Sequence, residues 1–318
     1  MKVGSGEAIR IFTGAPLGGA DAVVMQEDTE AIDSGRAVKI LDAAAAGDFI
    51  RRAGADLCAG QKAVAAGEPI TAARIGLLAS VGLTEIHAGA LPRLTVLSTG
   101  DELVDPGSRP LRPGEIFNSN AAMLAAQCRA LGFGAPRCEH VPDQPEATRA
   151  ALSRAIEGSD FLIISGGVSV GDHDCVKPAL AALGVEPEFW RVRIKPGKPL
   201  LFTKAGRCHV FGLPGNPVSS FVTFALFAGP AIRRWMRASD AFLLPPSAPA
   251  RLAHPAENQG DRPHYLRGEL TPGGDFHPTG AQQSNALYGL SRANALVRLD
   301  PGAALAAGAL VEAINCYS

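Results

Sequence analysis

Three stretches of the chain combine residue types suited to handling anions. Ser165-Gly166-Gly167-Val168-Ser169-Val170-Gly171-Asp172 follows the apolar run Phe161 to Ile164 and precedes a helical pattern. Glycine lets backbone N–H groups approach an anion, and a helix N-terminus favours negative charge. A plain tight turn is the alternative, since neither a Walker A loop nor G-x-G-x-x-G occurs. Gly212-Leu213-Pro214-Gly215-Asn216-Pro217-Val218-Ser219-Ser220 offers a second helix start with free amides, or simply a well-capped helix. Arg191, Arg193, Lys195 and Lys198 supply cations. The two lysines lie in the proline-stiffened Ile194-Lys195-Pro196-Gly197-Lys198-Pro199, which reads as a phosphate clamp or as a solvated run. Among these donors lie Asp101, Glu102, Asp143, Asp172 and Asp174. Each alone is a potential cap or turn residue; beside amides and lysines they suit Mg²⁺-assisted phosphate chemistry. No Ser–His–Asp or Cys–His constellation stands out.

Repeated strand–loop–helix units must position these loops. Leu94 to Leu97 reads as a strand followed by a helix from Ser119 or Asn120 to Gly132. A strand ending at Val141 leads to Asp143 as candidate N-cap, Pro145 in the first turn and Gly158 as stop. Phe161–Ile164 leads to a helix from about Asp174 to Leu183. Trp190, Val192 and Ile194 alternate with Arg191 and Arg193, as in a strand with a basic face. Cys208 to Phe211 leads to a helix with Asn216 as N-cap and Pro217 in its first turn. Such units predict an α/β fold with a doubly wound, mostly parallel sheet whose loops emerge on one ligand-binding edge.

Four regions follow from composition. Residues 1–45 read as a partial β-rich domain, with strands at 8–12, 22–25 and 37–40. Residues 46–90 form a connecting or dimerisation piece with a helix from Thr71 to Gly82. Residues 91–237 are the α/β domain, and 238–318 a small C-terminal β-barrel or sandwich. Thirty basic against 31 acidic side chains, net charge −1, argue against nucleic-acid or polybasic membrane binding. No apolar run approaches the roughly 18 residues of a membrane span. Six scattered cysteines without C-x-x-C spacing fit a reduced cytoplasm. Gly (36) and Pro (24) are abundant without a repeat, so many short elements with tight turns are expected.

In this order the loops resemble the MoeA family of molybdopterin molybdenumtransferases, which includes the second catalytic domain of gephyrin-like proteins. The matching stretches are Arg10 to Pro16, Gly19 to Val24, Ser98 to Leu103, Ile116 to Asn120, SGGVSVGD with Asp174 and Lys177, Ile194 to Pro199, and Gly212 to Ser220. The resemblance implies a MogA-like central domain and an enzyme that takes adenylylated molybdopterin and molybdate, releases AMP, and uses Mg²⁺. Carried over by position, Asp101, Glu102, Asp143 and Asp174 surround the metal and adenylate as catalytic residues. Thr99, Gly100, Asn118, Ser119, Ser165, Gly166, Gly167, Ser169, Gly171, Asp172, Lys177, Arg191, Lys195, Lys198, Pro214, Gly215, Asn216, Pro217 and Ser219 hold pterin and phosphates. Thr13 reaches the cleft from the opposite subunit of a homodimer, and a molybdopterin adenylyltransferase is an expected partner.

The loop after Ala15-Pro16-Leu17 is shorter than the family pattern. An N-terminal segment bearing an Asn-Ser-x-Met-Asp-Gly-like motif is missing, which implies either a misassigned start or a truncated form with weakened dimerisation and activity. A catalytically impaired molybdopterin-binding scaffold and a molybdopterin adenylyltransferase are the competing readings.

Overall fold

A computed structural model describes residues 2–168 and 175–316. The chain divides into two compact units, Met1–Val64 and Ala65–Ser318.

In the first unit Thr29–Ile32 pairs antiparallel with Ala37–Ile40, Ile32 opposite Ala37. The connection turns through Asp33, Ser34 and Gly35, all at positive φ. Residues 8–12 and 22–25 carry no ladder, contrary to the sequence expectation. The Asp-Ser-Gly turn sets the pairing instead, selecting the four residues directly before it over the more apolar run further back.

The second unit opens with the helix Ala72–Ser80, whose N-cap Thr71 accepts the Arg74 N–H through Oγ1 (3.3 Å). It closes at Gly82 (φ +81), as the sequence predicts. A six-stranded sheet follows, ordered Arg137–Val141, Leu94–Thr99, Phe161–Ser165, Cys208–Leu213, Leu201–Ala205, Phe189–Trp190. The first four strands are mutually parallel; Leu201–Ala205 runs against them, and Phe189–Trp190 pairs antiparallel with it. Leu94–Thr99 and Phe161–Ser165 are buried at every residue, as parallel strands covered on both faces must be. Their side chains alternate between two cores. Leu97, Leu162 and Ile164 pack with the helices Pro145–Gly158 and Val176–Ala182. Val96, Phe161 and Ile163 face Leu124 and Cys128 of Ser119–Ala130 and Ile232 of Gly229–Trp235.

Three local expectations change. Gln144, not Asp143, occupies the N-cap position before Pro145, because Asp143 is drawn to the neighbouring loop. The helix after the glycine-rich loop begins at Val176. The run 190–194 keeps its alternating burial but leaves the ladder after Trp190, where Arg191 adopts φ +81. Leu201–Ala205, whose pairing the sequence reading did not include, returns antiparallel along Cys208–Leu213.

The C-terminal part of the unit is a closed five-stranded barrel, ordered Ser247–Leu252, Asp275–Pro278, His264–Leu270, Ala295–Leu299, Leu310–Ile314. Leu252, Leu266, Phe276, Val297, Leu299 and Ala313 fill it. Gly268 is required there, since the Phe276 ring occupies the space a side chain would take. Among the described residues no helix is long and apolar enough to cross a membrane.

Candidate functional site

The chain leaves Leu94–Thr99 to add Arg137–Val141 on one side, then crosses to Phe161–Ser165 on the other. This reversal is a topological switch point, the place where open α/β sheets bind ligands, and it falls between the loops after Thr99 and Ser165. Gly166 (φ +94) and Gly167 (φ +62) line it. A Cβ on Gly166 would lie 3.0 Å from the Thr99 carbonyl oxygen; one on Gly167 would lie 2.8 Å from Thr99 Oγ1 and 2.6 Å from Val176 Cγ2. Glycine alone meets both the dihedral and the space requirement. Asn120 Nδ2 donates to Ser165 Oγ (2.9 Å) and to the Gly215 carbonyl (2.7 Å), tying three strand-end regions together. Thr99 Oγ1 and Asn120 Oδ1 are buried and have no hydrogen-bond partner among the described residues. Buried polar atoms are seldom left so, and each costs about 1–3 kcal/mol until a partner arrives.

The acidic side is stitched by short bonds. Asp143 N–H donates to Asp101 Oδ1 (3.0 Å), and His140 Nε2 donates to the Gly100 carbonyl (2.9 Å). Gly100 (φ +148) leaves room for the Glu102 carboxylate, whose Oε2 would sit 2.6 Å from a Cβ there. Asn118, buried, caps Ser119–Ala130 by accepting the Ala121 N–H (3.3 Å), so Ser119 opens the first turn. The approach to Asn118 is braced by Arg109, whose guanidinium bonds Glu115 at 2.6 and 2.8 Å. That pairing, helped by the Arg112 N–H, holds the Glu115 carboxyl down to about 2.

The basic side comes from the antiparallel strands. Leu201 pairs with Gly212, so the 191–200 loop emerges on the same edge as the 214–216 loop. Arg191 N–H donates to the Leu200 carbonyl (2.8 Å) and Val192 N–H to the Lys198 carbonyl (3.0 Å). Pro196 and Gly197 are buried, Gly197 against Thr223, while Lys195 and Lys198 are exposed. The barrel grips this turn: Lys195 N–H donates to the Pro263 carbonyl (2.8 Å) and Tyr265 N–H to the Lys195 carbonyl (2.7 Å). Beneath it His264 is buried, and desolvation with Lys195 and Arg267 nearby pushes its imidazole down to about 4. Lys177 Nζ and Arg191 Cζ each lie 3.9 Å from the centre of the Trp190 ring.

Asp101, Glu102, Asp143, Thr99, Gly100, Asn118, Ser119, Ser165, Gly166, Gly167, Lys177, Arg191, Lys195, Lys198, Pro214, Gly215, Asn216, Pro217 and Ser219 thus lie at the carboxyl edge of the sheet or on elements leading from it. Pro217 occupies the first turn of Pro217–Thr223, and Ser219 is buried within it. Thr13 lies in the other unit, exposed in a turn closed by the Ala15 N–H to the Phe12 carbonyl (3.0 Å). Ser169, Gly171, Asp172 and Asp174 fall outside the described residues. The sequence reading assigned no site role to Asn120, His140 or Trp190. Their roles depend on which strands become neighbours, which no local spacing reveals.

Fold and site together define a molybdopterin-binding type of α/β protein. The sequence profile described as "Probable molybdopterin binding domain" matches residues 95–234. "MoeA N-terminal region (domain I and II)" matches 1–82 and "MoeA C-terminal region (domain IV)" matches 249–315. The molybdopterin molybdenumtransferase of Nostoc sp. is 37% identical over 93% of this chain and 69% of its own length. That of Bacillus subtilis is 33% identical over 95% and 71%. Gephyrin of Dictyostelium discoideum is 35% identical, but only 48% of it is spanned. A crystal structure of the MoeA protein from Pyrococcus horikoshii aligns with 100% of this chain and 78% of its own, at 30% identity and TM-score 0.75. The chain belongs to the MoeA family.

Proposed function

We propose that the chain acts as a molybdopterin molybdenumtransferase, taking adenylylated molybdopterin and molybdate and releasing AMP. The observation that carries this reading is the topological switch point, where two buried polar atoms without a hydrogen-bond partner among the described residues, Thr99 Oγ1 and Asn120 Oδ1, lie beside Gly166 and Gly167 in a chain of this family. The glycine-rich loop and the 214–216 loop bind pterin and phosphate through backbone N–H groups and hydroxyls. Lys195 and Lys198 hold the anionic end of the substrate and molybdate, since an oxyanion needs donors.

Among the described residues no three His, Cys, Asp or Glu side chains gather as a self-sufficient metal cage. Mg²⁺ does not require one, because it takes one or two carboxylates plus substrate oxygens and waters. Asp101, oriented by the Asp143 N–H, fits that need, with Glu102 and Asp143 adjacent and Asp174 belonging to the same set. When bound, Mg²⁺ offsets phosphate charge and supplies Lewis acidity. Asp101 and its neighbours would hold the cation and accept a proton from attacking water, while the amides and lysines orient the phosphate. A homodimer in which Thr13 completes the cleft, a cytoplasmic setting and association with the adenylyltransferase belong to the same reading.

The test incubates the protein with adenylylated molybdopterin, molybdate and Mg²⁺ and follows AMP. No AMP, with the Bacillus subtilis relative active in parallel, would sink the reading; consumption of ATP would point to an adenylyltransferase instead.

A further inference from the structure

We propose that His140 is a positioning residue for the acidic side of the site: its imidazole takes over a backbone hydrogen bond at Gly100 and so releases the Asp143 N–H to orient the Asp101 carboxylate. The inference rests on the transferase reading for what Asp101 does, though not for the hydrogen bonds.

In a parallel ladder the N–H and the carbonyl of one residue reach the residues before and after its partner on the neighbouring strand. Leu94–Thr99 and Arg137–Val141 pair in a register that sets Thr99 opposite Val141. One step further on, Gly100 N–H still donates to the Val141 carbonyl (3.4 Å). The same ladder would bring the Asp143 N–H to the Gly100 carbonyl, but that N–H donates to Asp101 Oδ1 instead (3.0 Å). The Gly100 carbonyl accepts from His140 Nε2 in its place (2.9 Å), with the Leu103 N–H closing the turn (3.2 Å).

A carbonyl oxygen has two lone pairs, and these two donors fill them. The Asp143 N–H therefore meets no competing acceptor at Gly100 and takes the stronger, charged one at Asp101. Without the ring, the Gly100 carbonyl would regain a site for its ladder donor, and Asp101 would lose the bond that orients it. Since a carbonyl can only accept, the imidazole must carry a proton on Nε2. His140 stands opposite Ser98 in the register, so its donor has to reach forward along the strand to Gly100. Glutamine can do that, whereas asparagine is too short and leucine has no donor. On the far side of the turn Ile116 N–H holds the Glu102 carbonyl (2.8 Å). The segment carrying both carboxylates is thus clamped from two directions, and one clamp is a side chain of the edge strand.

The test uses the full chain and reads the Asp143 amide resonance by NMR. In the wild type Asp101→Asn should shift it, because the charged acceptor is lost. In a His140→Leu background the same substitution should leave it unmoved, because the amide has returned to Gly100. An Asp143 amide that still responds to Asp101→Asn in that background overturns the proposal. In the AMP-release assay His140→Leu should lower kcat about tenfold with KM and melting temperature nearly unchanged, and His140→Gln should recover it to within about twofold. Since His140 acts through Asp101, His140→Leu with Asp101→Asn should be no slower than Asp101→Asn alone. A glutamine variant as slow as the leucine one, or multiplying losses in the double variant, would reject the role. Should His140→Leu not fold, His140→Asn replaces it in the amide comparison. A wild type that releases no AMP removes the transferase reading, and the amide comparison still decides the role of His140.

Discussion

The parallel strands Leu94–Thr99, Arg137–Val141 and Phe161–Ser165 finish on the edge of the sheet where, in its antiparallel part, Phe189–Trp190 ends and Leu201–Ala205 begins. The parallel half delivers carboxylates and backbone amides on short loops, each pinned to its neighbour by one or two hydrogen bonds. The antiparallel half delivers cations on a longer turn, pinned instead by Trp190 and by the barrel. Anion-ready amides demand tight backbone geometry, whereas lysines and arginines reach on long stems and need only their bases fixed. Changes in the parallel half should therefore remove turnover, and changes in the antiparallel half should weaken substrate capture.

The largest effect expected is from Gly167→Val. It combines positive φ with contacts under 3 Å to Thr99 and Val176, and should reduce AMP release by more than about a hundredfold and lower the melting temperature. Asp101→Asn should cost about a hundredfold in kcat with the melting temperature retained, which an activity assay at saturating substrate checks. Lys198→Gln should raise KM about tenfold with kcat nearly intact, and its penalty should shrink as salt is added. If Asp101→Asn changes KM alone, or Lys198→Gln changes kcat alone, the division between the halves fails. Thr99→Val sharpens it: the hydroxyl has no partner among the described residues, so stability should hold or rise while kcat falls severalfold with KM nearly unchanged.

The smallest effect concerns the barrel's grip. His264 is held down to about 4 in the fold against 6.5 for the free side chain. The unfolded chain therefore binds a proton first as pH falls, so stability is fully present above about 6.5 and declines toward 4. Thermal melts between pH 7 and 5 should show a loss of order 1–2 kcal/mol, which His264→Gln flattens. An identical pH profile in that variant would free His264 of the role.

Much of the site was legible because anion binding leaves a local mark. Gly166, Gly167 and Pro217 stand where strand-to-helix turns need positive φ, close approach or a preset first turn, and the sequence shows them directly. Asn120 reads as an ordinary first-turn residue, since its partners Ser165 and Gly215 lie 45 and 95 residues away. His140 and Trp190 read as strand residues for the same reason. Asp143 reads as a helix cap, yet its N–H turns to Asp101 because the two strands carrying them are neighbours. In the first unit Ala22 to Met25 looks more strand-like than Thr29–Ile32, but the turn at Asp33 to Gly35 decides which residues pair.

Burial patterns, turn glycines and charged residue types are properties of short stretches, and they determined the α/β class, the C-terminal barrel and the set of loops that meet anions. Strand order is not local. It follows from how two apolar faces are covered at once, and it alone decided that the switch point falls between the strands ending at Thr99 and Ser165. It also decided that Asn120 bridges three loops, and that an indole from the antiparallel edge gathers Lys177 and Arg191 around one ring.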